Sequence, residues 1–357
     1  MNYAVNYSKA HPGLIALFGS GEIAPSGRKV YDHIFQRLQT QVNVSIVETP
    51  AGFQPNSQIV AAKIKQFLEN HLQNYRPEVS QVPLRKIKGA SVATIKTLME
   101  PLLSSNVIFL GPGSPTYTAE QFKHSFAWDV LRLKHHMGSS LVLASAATIA
   151  VGKHALPVYE IYKSGSELHW VQGLDLLSLY GLNVTLIPHW NNFEGGTELD
   201  TSRCYMGEAR FNKLKALLEP STTIVGIDEH TALVIDLSAN QCHVLGKGSV
   251  TVISKDKKPE VFITGCFPVE ELGALCFSGQ PPVRYKSALT WMAKLQTQFS
   301  PPITPSKAVL DTCASREQAR KTRNWVLADS LRNELHDMGW KVDDTKEGTT
   351  LIPNHLQ

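Results

Sequence analysis

The sequence predicts an α/β protein: a mostly parallel sheet flanked by helices, followed by a small C-terminal helical module. Three observations carry this. Short apolar runs alternate with longer segments of helical spacing through the first 150 residues, the order that builds strand–helix–strand units. The runs are short and apolar, as strands covered on both faces are. A proline-rich stretch then separates off a tail with its own helical periodicity.

Residues 13–18 (GLIALF) read as a buried strand, stopped by the turn Gly19-Ser20-Gly21. Residues 30–38 have helical spacing, 42–47 form a second strand, and 59–72 and 92–103 are amphipathic helices. A strand over 107–110 runs into Gly111-Pro112-Gly113, and a helix covers 126–133. A strand over 140–143 then leads at once into Ala144-Ser145-Ala146-Ala147-Thr148. Residues 184–188, 223–227, 232–236, 242–245 and 250–253 are short strands, partly antiparallel, expected to extend the same sheet. Pro281-Pro282 and Pro301-Pro302 mark a packed arm and a linker. From 316 to 338, Ala319, Trp325, Ala328, Leu331 and Leu335 fall at helical spacing, and Gly339 is a stop. The expected divisions are 1–280 for the α/β domain, 281–305 for the arm and linker, and 306–357 for the module.

Composition narrows the function classes. Of 357 residues, 43% are hydrophobic and 18% charged, which suits a folded chain with a sizeable core. The net charge of +4 is too small to imply nucleic-acid binding by itself, and leaves room for a local basic patch. Cys204, Cys242, Cys266, Cys276 and Cys313 are scattered and form no C-x-x-C pair, so they outline neither a zinc site nor a disulfide framework. Free thiols suit a reducing cytosol. The segment MNYAVNYSKAHPG lacks a signal-peptide pattern, and no apolar run reaches membrane-span length. The expectation is a cytoplasmic protein with no membrane partner, metal or cofactor.

Chemistry in open α/β sheets gathers at the carboxyl ends of the strands. Three ends stand out: Gly19-Ser20-Gly21-Glu22, Gly111-Pro112-Gly113-Ser114 and Ala144-Ser145-Ala146-Ala147. A serine on a sharp strand-to-helix turn projects its hydroxyl into the crevice, and the helix behind it points free N–H groups at the same place. Gly113 and Ala146 are the candidate oxyanion donors. His189 follows an apolar strand and precedes a polar, Gly-rich loop, which makes it the candidate base; Glu160 is the candidate acid. Plainer readings stand beside these. Ser145 also suits a helix N-cap, Gly111-Pro112-Gly113 a plain turn, and His189 a satisfied histidine beside Trp190. Asp228-Glu229-His230 suggests a metal cluster at first sight, but neighbours on a strand do not face one site.

The order of these features resembles the serine peptidases of the cyanophycinase and aspartyl dipeptidase (dipeptidase E) type, which have a class I glutamine amidotransferase-like fold. The resemblance rests on LFGSGE (17–22), GPGSPTY (111–117), LASAAT (143–148), GLDLL…IPHW (173–190) and GIDEHTALVID (226–236), in family order. It implies Ser145 as nucleophile, His189 as general base, Glu160 as acid, and Gly113 and Ala146 as oxyanion donors. Leu143 and Ala147 stand where the family elbow G-x-S-x-G has glycines. Arg203 and Arg210 follow the His189 loop and are candidates to hold a substrate carboxylate.

Residues 316–349 (REQARKTRNWVLADSLRNELHDMGWKVDDTKEGT) are similar to the extreme C-terminal segment of cysteinyl-tRNA synthetases. That likeness implies contact with tRNA through a basic face of Arg316, Arg320, Lys321 and Arg323, or else only a solvated helix face. Segments like H-I-G-H and K-M-S-K-S are missing, so synthetase activity is not implied. The leading expectation is a serine-dependent hydrolase acting on a small peptide or amide. Its rival is a catalytically degenerate relative that binds a ligand or tRNA.

Overall fold

The computed structural model describes residues 11–255, 257–276, 285–299, 306–345 and 348–353. The chain divides into two compact units, one ending at Met292 and one running from Ala293. Pro281, Pro282, Pro301 and Pro302, and with them both ends of the expected arm and linker, lie outside the described residues, as do residues 1–10.

The first unit opens with β1 (Ile15–Phe18), α1 (Arg28–Phe35), β2 (Asn43–Val47), α2 (Ser57–His71) and β3 (Glu78–Val82). It continues with α3 (Val92–Met99), β4 (Val107–Leu110), α4 (Pro115–Phe122), α5 (Phe126–His136), β5 (Ser140–Ala144) and α6 (Ala146–Ala150). Next come β6 (His154–Ala155), α7 (Val158–Tyr162), β7 (Val171–Gln172), β8 (Val184–Ile187) and α8 (Gly207–Ala216). Six strands follow, β9 (Thr223–Ile227), β10 (Thr231–Asp236), β11 (Gln241–Gly246), β12 (Val250–Ile253), β13 (Glu260–Phe262) and β14 (Gly265–Pro268). Helix α9 (Lys286–Phe299) carries the chain across the division.

Eight strands form one sheet in the order β14-β11-β10-β1-β5-β4-β2-β3. Neighbours from β1 to β3 are parallel, and β10, β11 and β14 add antiparallel strands at the other side. Strands β1, β4 and β5 are buried at every position, which is why their sequences are apolar without alternation. On one face Phe18, Ile46, Phe109 and Val142 pack against Tyr31 and Ile34 of α1 and Ile64 and Leu68 of α2. Tyr31 is fully buried, and its hydroxyl donates to the Glu22 carbonyl at 3.0 Å. That bond avoids the ~1–3 kcal/mol cost of a stranded polar group.

The late strands do not all extend this sheet. Strands β8, β9, β12 and β13 make a second, four-stranded sheet in the order β13-β12-β9-β8. The turn Asp228-Glu229-His230 sends the chain from β9 in one sheet to β10 in the other. Its backbone is fastened on both sides: Asp228 N donates to the Ser249 carbonyl at 3.1 Å, and His230 N to Ser20 Oγ at 3.0 Å. Ile149, Ile161, Ile187, Trp190, Phe211 and Leu214 form the core around this second sheet. Helix α4 and strand β3 also go beyond the sequence reading. Ser114 caps α4 by accepting from Tyr117 N at 3.1 Å, with Pro115 at the first helical position.

The second unit contains α10 (Lys307–Lys321), α11 (Trp325–Asp337) and an antiparallel hairpin of β15 (Trp340–Thr345) and β16 (Gly348–Pro353). The single helical pattern read over 316–338 is therefore two helices. They part where Arg323 takes a φ of 58° and Asn324 caps α11 by accepting from Leu327 N at 3.2 Å. Val309, Cys313, Leu335, Trp340 and Val342 form its core. Among the described residues no helix is long and apolar enough to cross a membrane.

Candidate active site

Ser145 joins β5 to α6 with φ 51° and ψ −105°, a conformation that L-residues rarely adopt. Holding it costs on the order of 1–3 kcal/mol, so the surroundings must over-determine it. They do. The buried Thr148 hydroxyl bonds the Phe18 carbonyl at 3.0 Å and the Leu143 carbonyl at 2.9 Å, tying α6 to β1 and β5. Ile149 N donates to the Ser145 carbonyl at 3.1 Å. The turn forms with Leu143 and Ala147 in place, and both are fully buried.

His189 lies just past β8, beside β9 in the parallel register that pairs Ile187 with Gly226. Its backbone N donates to the Gly19 carbonyl at 3.2 Å, and Gly19 N donates to Thr231 at 2.8 Å. A Cβ on Gly19 would fall 2.1 Å from the Asp228 carbonyl oxygen, so glycine is needed where the two sheets approach. His189 itself has φ 51°. Ser145 Oγ lies 2.9 Å from His189 Nε2, and His189 Nδ1 lies 2.9 Å from Glu229 Oε1. With the carboxylate at Nδ1, the proton resides there and Nε2 is left to accept from the serine hydroxyl. Glu229 is fixed in turn: Asn192 Nδ2 donates to Oε1 at 2.9 Å, and Glu229 N donates to Asn191 Oδ1 at 2.8 Å. The bond to His189, with help from Asn192, holds the Glu229 carboxyl below its usual range despite partial burial.

The acid beside His189 is thus Glu229 and not Glu160. Glu160 sits on α7, with one carboxylate oxygen buried and unpartnered, and lines a separate groove with Phe53, Tyr117 and Glu120. The signal for Glu229 was present in Asp228-Glu229-His230. The alternation that spoke against a metal there also sends each side chain to a different partner. Asp228 accepts from Ser249 N and Oγ at 2.8 and 2.7 Å, while Glu229 faces His189. Among the described residues no group of side chains is arranged to hold a metal ion.

Beside Ser145 opens a cavity of about 300 Å³, lined in part by Gly113, Ala146, Ile149, His189, Tyr162 and Tyr205. Both sequence-predicted oxyanion donors therefore border it. Gly113 must be glycine, because a Cβ would stand 1.8 Å from the Pro50 carbonyl oxygen. Ala146 opens α6, so its N–H has no acceptor within the helix.

The six cations assigned from sequence divide differently. Arg203 Nη1 donates to the Trp190 carbonyl at 3.2 Å and its guanidinium lies 4.1 Å over the Trp190 ring. Arg210 donates from Nε to the Met206 carbonyl at 2.6 Å and from Nη2 to the Tyr205 carbonyl at 2.8 Å. Neither borders the cavity; both brace the loop behind it. In the second unit, Arg316 is buried and grips Asp344 with two bonds of 3.1 and 2.7 Å, and Arg320 pairs with the same carboxylate. These two arginines hold α10 to β15 rather than forming an open basic face. Lys321 and Arg323 remain exposed.

No protein-family model matches the chain. The crystal structure of a peptidase from an acI-B1 Actinobacterium is similar, with a TM-score of 0.57 and 21% identity, covering 73% of this chain and 99% of that one. This likeness places the chain in the same α/β fold class. Short segments are similar to cysteine–tRNA ligases. That of Chlamydia pneumoniae is 43% identical over 56 residues, which is 15% of this chain and 12% of the ligase. That of Rubrobacter xylanophilus (strain DSM 9941 / JCM 11954 / NBRC 16129 / PRD-1) is 49% identical over 43 residues, 12% of this chain and 9% of the ligase. The chain thus spans about a tenth of the length of these relatives.

Proposed function

We propose that the first unit is a serine-dependent hydrolase of small peptides or amides, with Ser145 as nucleophile, His189 as general base and Glu229 as the acid that orients it. The observation that carries this reading is the unbroken line Ser145 Oγ–His189 Nε2–Glu229 Oε1, two contacts of 2.9 Å, ending on a serine in a strained turn. Ser145 Oγ attacks the substrate carbonyl while its proton passes to His189 Nε2. The N–H groups of Gly113 and Ala146 face the developing oxyanion. The imidazolium, steadied by Glu229, returns the proton to the leaving nitrogen as the C–N bond breaks, leaving an ester on Ser145. Water then attacks that ester, again giving its proton to Nε2, and the acid product leaves as Oγ is reprotonated. The fold likeness to a solved peptidase agrees with this reading. A fluorophosphonate probe tests it. We expect labelling at Ser145, abolished in Ser145→Ala and His189→Ala; no labelling of the native chain contradicts the proposal.

A second role concerns the second unit. The resemblance of residues 316–349 to the C-terminal segment of cysteinyl-tRNA synthetases favours contact with tRNA, now through the exposed Lys321 and Arg323. Replacing both with alanine is expected to weaken tRNA binding and reduce its salt dependence by about two phosphate contacts. Unchanged binding and salt slope in a filter assay contradict that role.

A further inference from the structure

Behind the cavity, Arg203, Cys204 and Tyr205 have φ values of 58°, 59° and 68°, three consecutive L-residues in the left-handed region. Such a run is sparsely allowed and persists only where its surroundings fix it. Here Arg203 N donates to the Trp190 carbonyl at 2.8 Å, Cys204 N to the His189 carbonyl at 3.1 Å and Tyr205 N to Thr201 at 2.9 Å. The two arginines described above brace the same turn from outside. Its product is local: Cys204 and Tyr205 are both turned into the cavity beside Ser145. The Tyr205 ring stands 5.9 Å from the His189 ring and 5.2 Å from the Tyr162 ring.

The chemistry of the cavity follows. Its floor is the buried Ile149, Val158 and Cys204, and its walls are tyrosine rings. Apart from His189, its charged lining residues are Lys163 and Glu194, both exposed. No buried countercharge lines the floor, so an acidic or basic side chain placed there would lose hydration without replacement. A volume of about 300 Å³ holds roughly ten waters at ~30 Å³ each, enough for one large side chain and the scissile group.

Resting on the hydrolase reading above, we infer that the acyl-side residue of the substrate is apolar, aromatic or branched aliphatic, and that Tyr205 and Tyr162 select it. The test uses the full chain and α-aminoalkyl phosphonate diphenyl esters bearing Phe, Leu, Asp or Lys side chains. The rate of phosphonylation at Ser145 is read by mass spectrometry beside a plain fluorophosphonate that carries no side chain. The Phe and Leu reagents should react at least ~10-fold faster than the Asp and Lys reagents, the range that pocket complementarity supplies. Tyr205→Ala and Tyr162→Ala should remove most of that preference, read as the ratio of the Phe to the Asp rate within each variant, and Tyr205→Phe should retain it. Val158→Trp, which fills the floor, should suppress the Phe reagent selectively. Equal rates across the series, a faster Asp or Lys reagent, or no reaction with any of the four, each with Ser145 still labelled by the plain probe, overturns the inference alone. Failure of the plain probe overturns the hydrolase reading and the inference with it.

Discussion

Ser145 and His189 share a φ of 51°, and neither is glycine. Strain at two facing residues is what a pre-organised pair requires, because relaxed backbones would carry Oγ and Nε2 apart. Ser145→Gly should therefore raise stability by about 1 kcal/mol in a urea melt while abolishing probe labelling; a loss of stability would remove strain from the account. Position and partner were unequally legible at this scale. Ser145 was legible because a strand leading at once into small residues makes a tight turn. His189 was legible as the end of an apolar run. Glu229 was not, since 40 residues of chain separate it from His189. Glu160 drew attention because it lies between Ser145 and His189 in the chain, but chain order says nothing about which carboxylate reaches Nδ1. Arg203 and Arg210 show the same limit, since a sequence records a guanidinium without the carbonyls it will serve.

Strands β1, β2, β4 and β5 could be read within a residue or two because burial makes them largely apolar, with Asn43 and Ser45 of β2 and Ser140 of β5 the exceptions. Strand β3 (EVSQV) pairs with β2 alone and is only partly buried, which leaves it a mixed sequence with little apolar signal. Two predictions belong to the elements that form the turn. Leu143→Gly would restore the first glycine of G-x-S-x-G, yet Leu143 fills the sheet core between Leu17 and Leu110. It should destabilise the protein by roughly 3–5 kcal/mol in denaturant melts, from the cavity and the added chain freedom. A neutral result would mean that the leucine merely substitutes for glycine. Gly113→Ala meets the Pro50 carbonyl and must push the β4–α4 turn outward. Its labelling rate should fall by roughly 10²–10³-fold, the cost of one oxyanion donor. Labelling at the native rate would remove Gly113 from that role.

Across the whole molecule, the two units were legible as a change of periodicity, whereas the second sheet was not, because short strands carry no mark of which sheet they join. The second unit carries its own pH signature. Its Arg316–Asp344 bonds hold the Asp344 carboxyl well below the usual carboxylate range. A depressed carboxylate adds stability that is present above its unfolded pKa of about 4 and is lost as pH falls through the depressed value. The hydrogen-exchange protection of residues 306–353 in the full chain, taken relative to the intrinsic rate at each pH, should therefore fall progressively below about pH 4. Asp344→Asn should flatten that dependence and cost roughly 2 kcal/mol at neutral pH, less than the ~3–5 kcal/mol of a fully buried pair because Asp344 is 34% exposed. An unchanged pH profile would place the ion pair outside the stability of the unit. In the first unit, the two sheets meet at the site: Ser145 follows a strand of one, His189 a strand of the other, and Glu229 the turn between them. The most direct measurement is the fluorophosphonate labelling rate of Ser145 in Glu229→Gln against Glu160→Gln. The account predicts a fall of roughly 10²–10⁴-fold in the first and native labelling within ~3-fold in the second. A native rate in Glu229→Gln, or the larger loss in Glu160→Gln, would contradict it.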